Sequence, residues 1–92
     1  MKTIAMTKGY EAIVDDEDYD ELMQYKWCAH VTPRNVYAQR NIKINGRSTN
    51  IRMHRQITNT PKGMDVDHTN HNGLDNRKIN LRIVTRQQNN MN

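Results

Sequence analysis

Apolar and polar positions change period several times along the 92-residue chain, and each change marks an element. Ile4-Ala5-Met6 and Tyr10 to Val14 read as two short strands around a Lys8-Gly9 turn. From Asp15 the period becomes helical: Asp15 suits the N-cap, Asp16, Glu17 and Asp18 suit the positive end of the helix dipole, and Tyr19, Leu22, Met23 and Lys26 recur at helical spacing. Trp27 to Val31 and Val36 to Ile44 read as strands separated by Thr32-Pro33-Arg34-Asn35. Asn45-Gly46 is a strong hairpin signal, and the strand after it runs through Met53. Alternation places Ile42, Ile44, Ile51 and Met53 on a buried face and Gln39, Asn41, Lys43, Asn50 and Arg52 on an exposed one. His54 to Asn59 reads as one helical turn leading to a break at Pro61-Lys62-Gly63. A strand then ends in Val66-Asp67-His68, a polar loop containing Gly73 follows, and Asn80 to Val84 reads as the returning strand. Thr85-x-x-Gln88 is a capping box opening a short helix that holds Asn89. The pattern predicts an α+β fold: a small antiparallel sheet with one packing helix, followed by strand, loop, strand and helix.

Composition bounds the core. Leu, Ile and Val total 16 residues and Phe is absent, so one small domain over 1–92 is expected, with a sheet-plus-helix portion over 1–60 and a second portion over 61–92. Apolar runs fall far short of the roughly 20 residues of a membrane span, and the first residues lack a signal-peptide pattern. A soluble, cytoplasmic protein is predicted, with no membrane partner. Cys28 is the lone cysteine, which excludes an internal disulfide. Without a fourth evident ligand beside Cys28, His30 and His54, no structural zinc is expected.

Charge changes the picture further. The net +4 is segregated: residues 1–25 carry two Lys against seven Asp and Glu, residues 26–58 carry seven Lys and Arg and no acid, and residues 59–92 carry five Lys and Arg against three Asp. A basic middle third suits a polyanion, and Arg40, Lys43, Arg47 and Arg52 are its candidate contacts on a sheet face lying against double-stranded DNA. Twelve Asn serve turns, caps and base-edge contacts equally.

The C-terminal stretch carries the candidate chemistry. Strand, loop, strand and helix deliver a carboxylate, an imidazole and a carboxamide to one place. Cutting a phosphodiester calls for a metal to neutralise charge and a base to take a proton from water. Hard oxygen donors such as Asp and Asn suit magnesium, and a free imidazole has a reference pKa near neutrality, so a histidine such as His68 can act as that base. Asp67 and His68 are adjacent, and adjacent strand residues point to opposite faces. They can share a site only where the strand ends or twists.

Asp67-His68, Asn80-Leu81-Arg82 and Asn89 closely resemble the His-Asn-His (HNH) endonucleases, in particular the phage and intron-encoded homing group with Asn in place of the final His. The resemblance is dense from Asp65 to Asn92 and looser upstream, through Tyr25-Lys26-Trp27, Ile51 to Arg55 and Pro61 to Met64. It implies a C-terminal ββα-metal motif over 61–92 and cleavage or nicking of DNA with one divalent ion, Mg2+ or Mn2+ in its place. His68 matches the general base, Asp67 and Asn89 the metal ligands, and Asn80 the middle Asn that braces the hairpin and helps orient the base. Leu74 to Arg77 match the loop, and Leu81 and Val84 match core positions. Asn90 rivals Asn89, but helical phase favours Asn89. Arg82 and Arg86 flank the site and are candidates to hold the scissile strand. The resemblance further implies a phage-encoded protein in a bacterial host, monomeric or homodimeric. The competing reading is a non-catalytic, sheet-based DNA-binding protein with a decayed site.

Overall fold

Turn chemistry sets the first reversal. Lys8 and Gly9 both have positive φ, 63° and 79°, so β1 (Lys2–Ala5) folds back antiparallel on β2 (Glu11–Val14) with Lys2 opposite Val14. The computed structural model describes residues 1–85. The expected C-terminal helix, with Arg86 and Asn89, lies outside the described residues, and within them the C-terminal motif is seen as its two strands.

The acidic segment forms α1 (Asp16–Leu22), with Asp15 at the N-cap position. The Asp15 side chain does not cap its own helix: Oδ2 accepts the Lys78 backbone N–H at 2.9 Å, tying the helix start to the C-terminal loop. β3 (Cys28–Val31), β4 (Val36–Ile44) and β5 (Arg47–Arg52) form an antiparallel meander, with Asn45 and Gly46 at φ 51° and 78° making the tight turn. α2 (Met53–Thr58) follows directly and stops at Asn59, whose φ of 50° gives a left-handed C-terminal cap. β6 (Met64–His68) and β7 (Leu81–Thr85) pair antiparallel, Asp67 opposite Arg82 and His68 opposite Leu81.

Three departures from the sequence expectation stand out. Among the described residues the sheet expected before residue 60 is two separate antiparallel sheets, of two and three strands; the β6–β7 pair is the expected C-terminal hairpin, and α2 falls on the helical turn expected at His54–Asn59. Met53 opens α2 and does not extend β5. The isoleucine face of the ribbon is only partly buried: Ile44 is 55% exposed and Ile42 and Ile51 are half-buried, because β4 and β5 run on past the body of the protein.

The main core joins the first hairpin, α1, the meander and α2. Ile4, Ala12, Val14, Leu22, Trp27, Ala38 and Met53 form one cluster, and the Trp27 indole N–H donates to the Leu22 carbonyl at 2.8 Å. Val84 is buried in the last sheet.

The tightest approach is at Gly73. A Cβ there would lie 2.4 Å from the Val36 carbonyl oxygen and 2.7 Å from the Tyr37 ring, so only glycine lets the loop seat on β4. Gly73→Ala is expected to lower the unfolding free energy by about 1–3 kcal/mol, the usual scale for overpacking a well-filled site. Urea denaturation of the two proteins, with a lower midpoint at unchanged slope, is the check.

Candidate active site

Residues 69–80 connect β6 to β7 through a network of side-chain amides. Asn80 is buried and its carboxamide is fully engaged: Nδ2 donates to the Asn70 Oδ1 at 2.9 Å and to the Asp75 carbonyl at 2.8 Å, while Oδ1 accepts the Asn70 N–H at 3.0 Å. The Asn80 carbonyl accepts from the Thr69 backbone N–H at 2.9 Å, closing the base of the loop. Asn70 and Asn72 each accept a backbone N–H two residues on, as Asx turns do. The buried Asp75 carboxylate takes a bidentate pair from Arg77, both at 2.7 Å, and a third bond from Asn70. That pairing holds Asp75 below the ordinary carboxyl range, Arg77 contributing most.

His68 is the last residue of β6 and is buried, 5% exposed. Its Nε2 lies 2.8 Å from Oδ1 of Asn76. A carboxamide oxygen only accepts, so Nε2 carries the proton and, in the neutral ring, Nδ1 keeps its lone pair. The ring contact thus belongs to Asn76, and Asn80 braces the loop from behind. Asn76 is held in turn by its backbone N–H on the Ile13 carbonyl at 2.7 Å, while the Ile13 N–H donates to Leu74 at 2.7 Å.

A polar cleft of about 210 Å³ opens at the end of β6, lined by Asn35, Tyr37, Val66, Asp67, His68 and His71. Asp67 and His68 therefore border one cleft although they are neighbours on a strand, because the strand ends there. Asp67 accepts from Arg82 Nη2 across the ladder at 2.8 Å. Asn35 ties the cleft wall to the loop, accepting the Gly73 N–H at 2.9 Å and donating to the His71 carbonyl at 2.8 Å. Among the described residues, the one group of three acidic or metal-ligating side chains is Asp15, Glu17 and Asp18. There the Lys78 ammonium already sits on Glu17 at 2.7 Å and on Asp18 at 3.1 Å.

The four basic residues of the ribbon do not share a face. The register sets Gln39 opposite Arg52 and Lys43 opposite Ser48 on the side of Tyr37, whereas Arg40 and Arg47 fall with Ile42 and Ile44 on the other. Arg40 is packed: its guanidinium lies 3.9 Å from the Tyr25 ring centroid and donates to Gln56 at 2.9 Å. Arg52 lies over Tyr37, 5.1 Å from its ring centroid, which makes the Lys43 and Arg52 face continuous with the cleft. Asn35, Tyr37, His54 and Asn76 escape a reading by local pattern. Asn76, in the Leu74–Arg77 loop stretch, and His54, in the Ile51–Arg55 stretch, lay within the resemblance noted above, and that was the signal that could have singled them out.

Residues 59–91 match the family model of the HNH endonucleases. That span, about a third of the chain, contains β6, the amide loop and β7, so the likeness to the HNH endonucleases falls on the elements that carry His68 and Asn80. No curated protein and no solved structure matches the chain. No helix among the described residues is long and apolar enough to cross a membrane.

Two buried groups give the site a pH signature. Burial, reinforced by His68, Arg52 and Arg55, lowers the His54 pKa from 6.5 to about 3. The unfolded chain therefore takes up a proton at this position that the folded protein refuses. Stability from His54 is full above pH 6.5 and declines from there towards 3; that from Asp75 is full above its ordinary 3.8 and is lost below it. Unfolding free energies measured between pH 7.5 and 4.5 should fall with a slope approaching ~1.4 kcal/mol per pH unit, one proton's worth. His54→Phe should flatten that slope.

Proposed function

We propose that this protein is a metal-dependent endonuclease or nickase of double-stranded DNA, with His68 as the general base. The observation that carries the reading is the His68 ring, held through Nε2 by Asn76 at the edge of a polar cleft that Asp67 also lines. The donor set suits a hard divalent ion such as Mg2+ or Mn2+: Asp67 offers a carboxylate, and Asn89, outside the described residues, is the second ligand implied by the resemblance. When bound, the ion neutralises charge on the scissile phosphate and the departing oxygen.

The chain's own residues do the rest. His68 Nδ1 takes a proton from water as the water oxygen bonds to phosphorus and the phosphodiester P–O bond breaks. Asn76 keeps the ring in the tautomer that leaves Nδ1 basic. Arg82, paired with Asp67 at 2.8 Å and 54% exposed at its side chain, is the candidate to meet a phosphate oxygen with its remaining donors. Asn80 keeps the loop closed so that Asn76 stays under the ring. Lys43 and Arg52 extend the cleft along the ribbon as a track for the DNA backbone, with Arg86 as a further contact.

A plasmid-nicking assay tests the reading. Conversion of supercoiled plasmid is expected with Mg2+ or Mn2+ and not in EDTA. His68→Ala should lose about 10²–10⁴-fold in rate while still binding DNA. Undiminished cutting in chelator, or by His68→Ala, excludes the mechanism, and binding without any cutting favours the non-catalytic alternative.

The divided ribbon makes a second, independent prediction. Replacing Lys43 and Arg52 together by Ala should weaken DNA binding and flatten the slope of log affinity against log salt by about two. Arg40→Ala should leave that slope nearly unchanged and lower the melting temperature, since Arg40 is stacked on Tyr25. Salt titrations of binding and thermal melts separate the two outcomes.

A further inference from the structure

We infer that Tyr37 and His54 form an aromatic seat that fixes the plane of the His68 imidazole, which makes His54 a positioning residue of the site. The inference rests on the reading of His68 as the base. His68 closes a strand and is followed by exposed loop residues, so the ladder holds it on one side only. The bond to Asn76 fixes one ring nitrogen in place, but a single hydrogen bond does not fix the plane of the ring around it. The two remaining ring contacts do. The His54 ring meets His68 edge-on, with centroids 4.9 Å apart and planes at 75°, and Tyr37 meets it at 6.0 Å and 49°. Tyr37 also lies 6.0 Å from His54, so the three rings close on one another and rotation of any one displaces the others.

His54 is itself firmly held. It sits in the first turn of α2 beside the fully buried Met53, its carbonyl accepts from the Thr58 hydroxyl at 2.8 Å, and the next residue, Arg55, bonds the Met64 carbonyl at the start of β6 at 3.0 Å. The same helix thus braces both ends of the strand that carries His68. Nδ1 of His54 is buried with no hydrogen-bond partner among the described residues, so at this atom the ring serves by its shape. Charged and titratable groups facing it are His68 from β6, Arg52 from the end of β5, Arg55 from α2 and Tyr37 from β4. Three of these are basic and oppose a second positive charge.

The test follows the His68 ring directly. Long-range proton–nitrogen NMR of the uniformly 15N-labelled protein reports which nitrogen of each imidazole is protonated, and nicking kinetics are run on the same variants. The wild type should show His68 as one tautomer, protonated at Nε2. His54→Ala, folded by its melting curve, should show exchange between tautomers and lose about 10-fold or more in kcat with KM for DNA unchanged, the pattern of a misplaced rather than a missing group. His54→Phe, which restores a ring without its nitrogens, should recover the single tautomer and most of the rate. If His54→Ala does not fold, Tyr37→Leu removes the other wall of the seat and should give the same mixed tautomers. A single Nε2–H tautomer and full kcat in folded His54→Ala overturns the inference, as does a folded His54→Phe no better than His54→Ala. Should the wild type not cut DNA at all, the reading of His68 as base fails, while the NMR measurement still decides the seat.

Discussion

One short parallel bridge holds the site together. Ile13, in the second strand of the first hairpin, donates its N–H to Leu74 and accepts from the Asn76 N–H, each at 2.7 Å. Its neighbours Ala12 and Val14 are fully buried in the main core, so Ile13 cannot shift without disturbing that core. The loop that holds His68 is thereby referenced to the oldest part of the chain in sequence order. Lys78 repeats the arrangement with charge, its N–H on Asp15 and its ammonium on Glu17 and Asp18, which draws its pKa up because the charged form is doubly paired. These exposed ion pairs contribute little individually. The backbone bridge fixes the geometry and the charges reinforce it.

That dependence explains why so polar a loop is ordered. A chain with few large apolar side chains cannot pin a loop by burial, and carboxamides do so here by serving as donor and acceptor at once. Asn80 makes three such bonds and Asn70 four, counting its backbone N–H, and the Arg77 pair completes Asp75. Networks of this kind are satisfied together or fail together. The outcome is a loop that holds one imidazole in place.

The ribbon shows the opposite strategy. Beyond Asn41 both strands leave the body and their side chains are exposed on both faces apart from a half-buried Ile42. A two-stranded ladder rich in amides and basic groups, attached at its root to the cleft through Arg52 and Tyr37, is suited to lie along a polyanion. Its isoleucines would be wasted as core, and they are not used as core.

Much of the framework was legible in the chain itself. Asn45-Gly46 named its hairpin, Lys8-Gly9 its turn, and the end of the strand at His68 was implied by the Asn-rich stretch that follows, because turn chemistry and short periodicities act over a few neighbouring residues. The Asp67-His68 pair and Asn80 were legible for the same reason, as a compact pattern resembling a known family. What the sequence could not decide was which distant side chains would meet. Alternation already set Arg40 with Ile42, but only the fold showed that it packs against Tyr25. Nothing local foretold that His54 would lie under His68, that Asn76 rather than Asn80 would reach its ring, or that Ile13 would hold Asn76. Those contacts join residues far apart in the chain, and they form only where a core of seven buried side chains sets the first hairpin against the meander and α2 and the Ile13 bridge ties the loop to that hairpin.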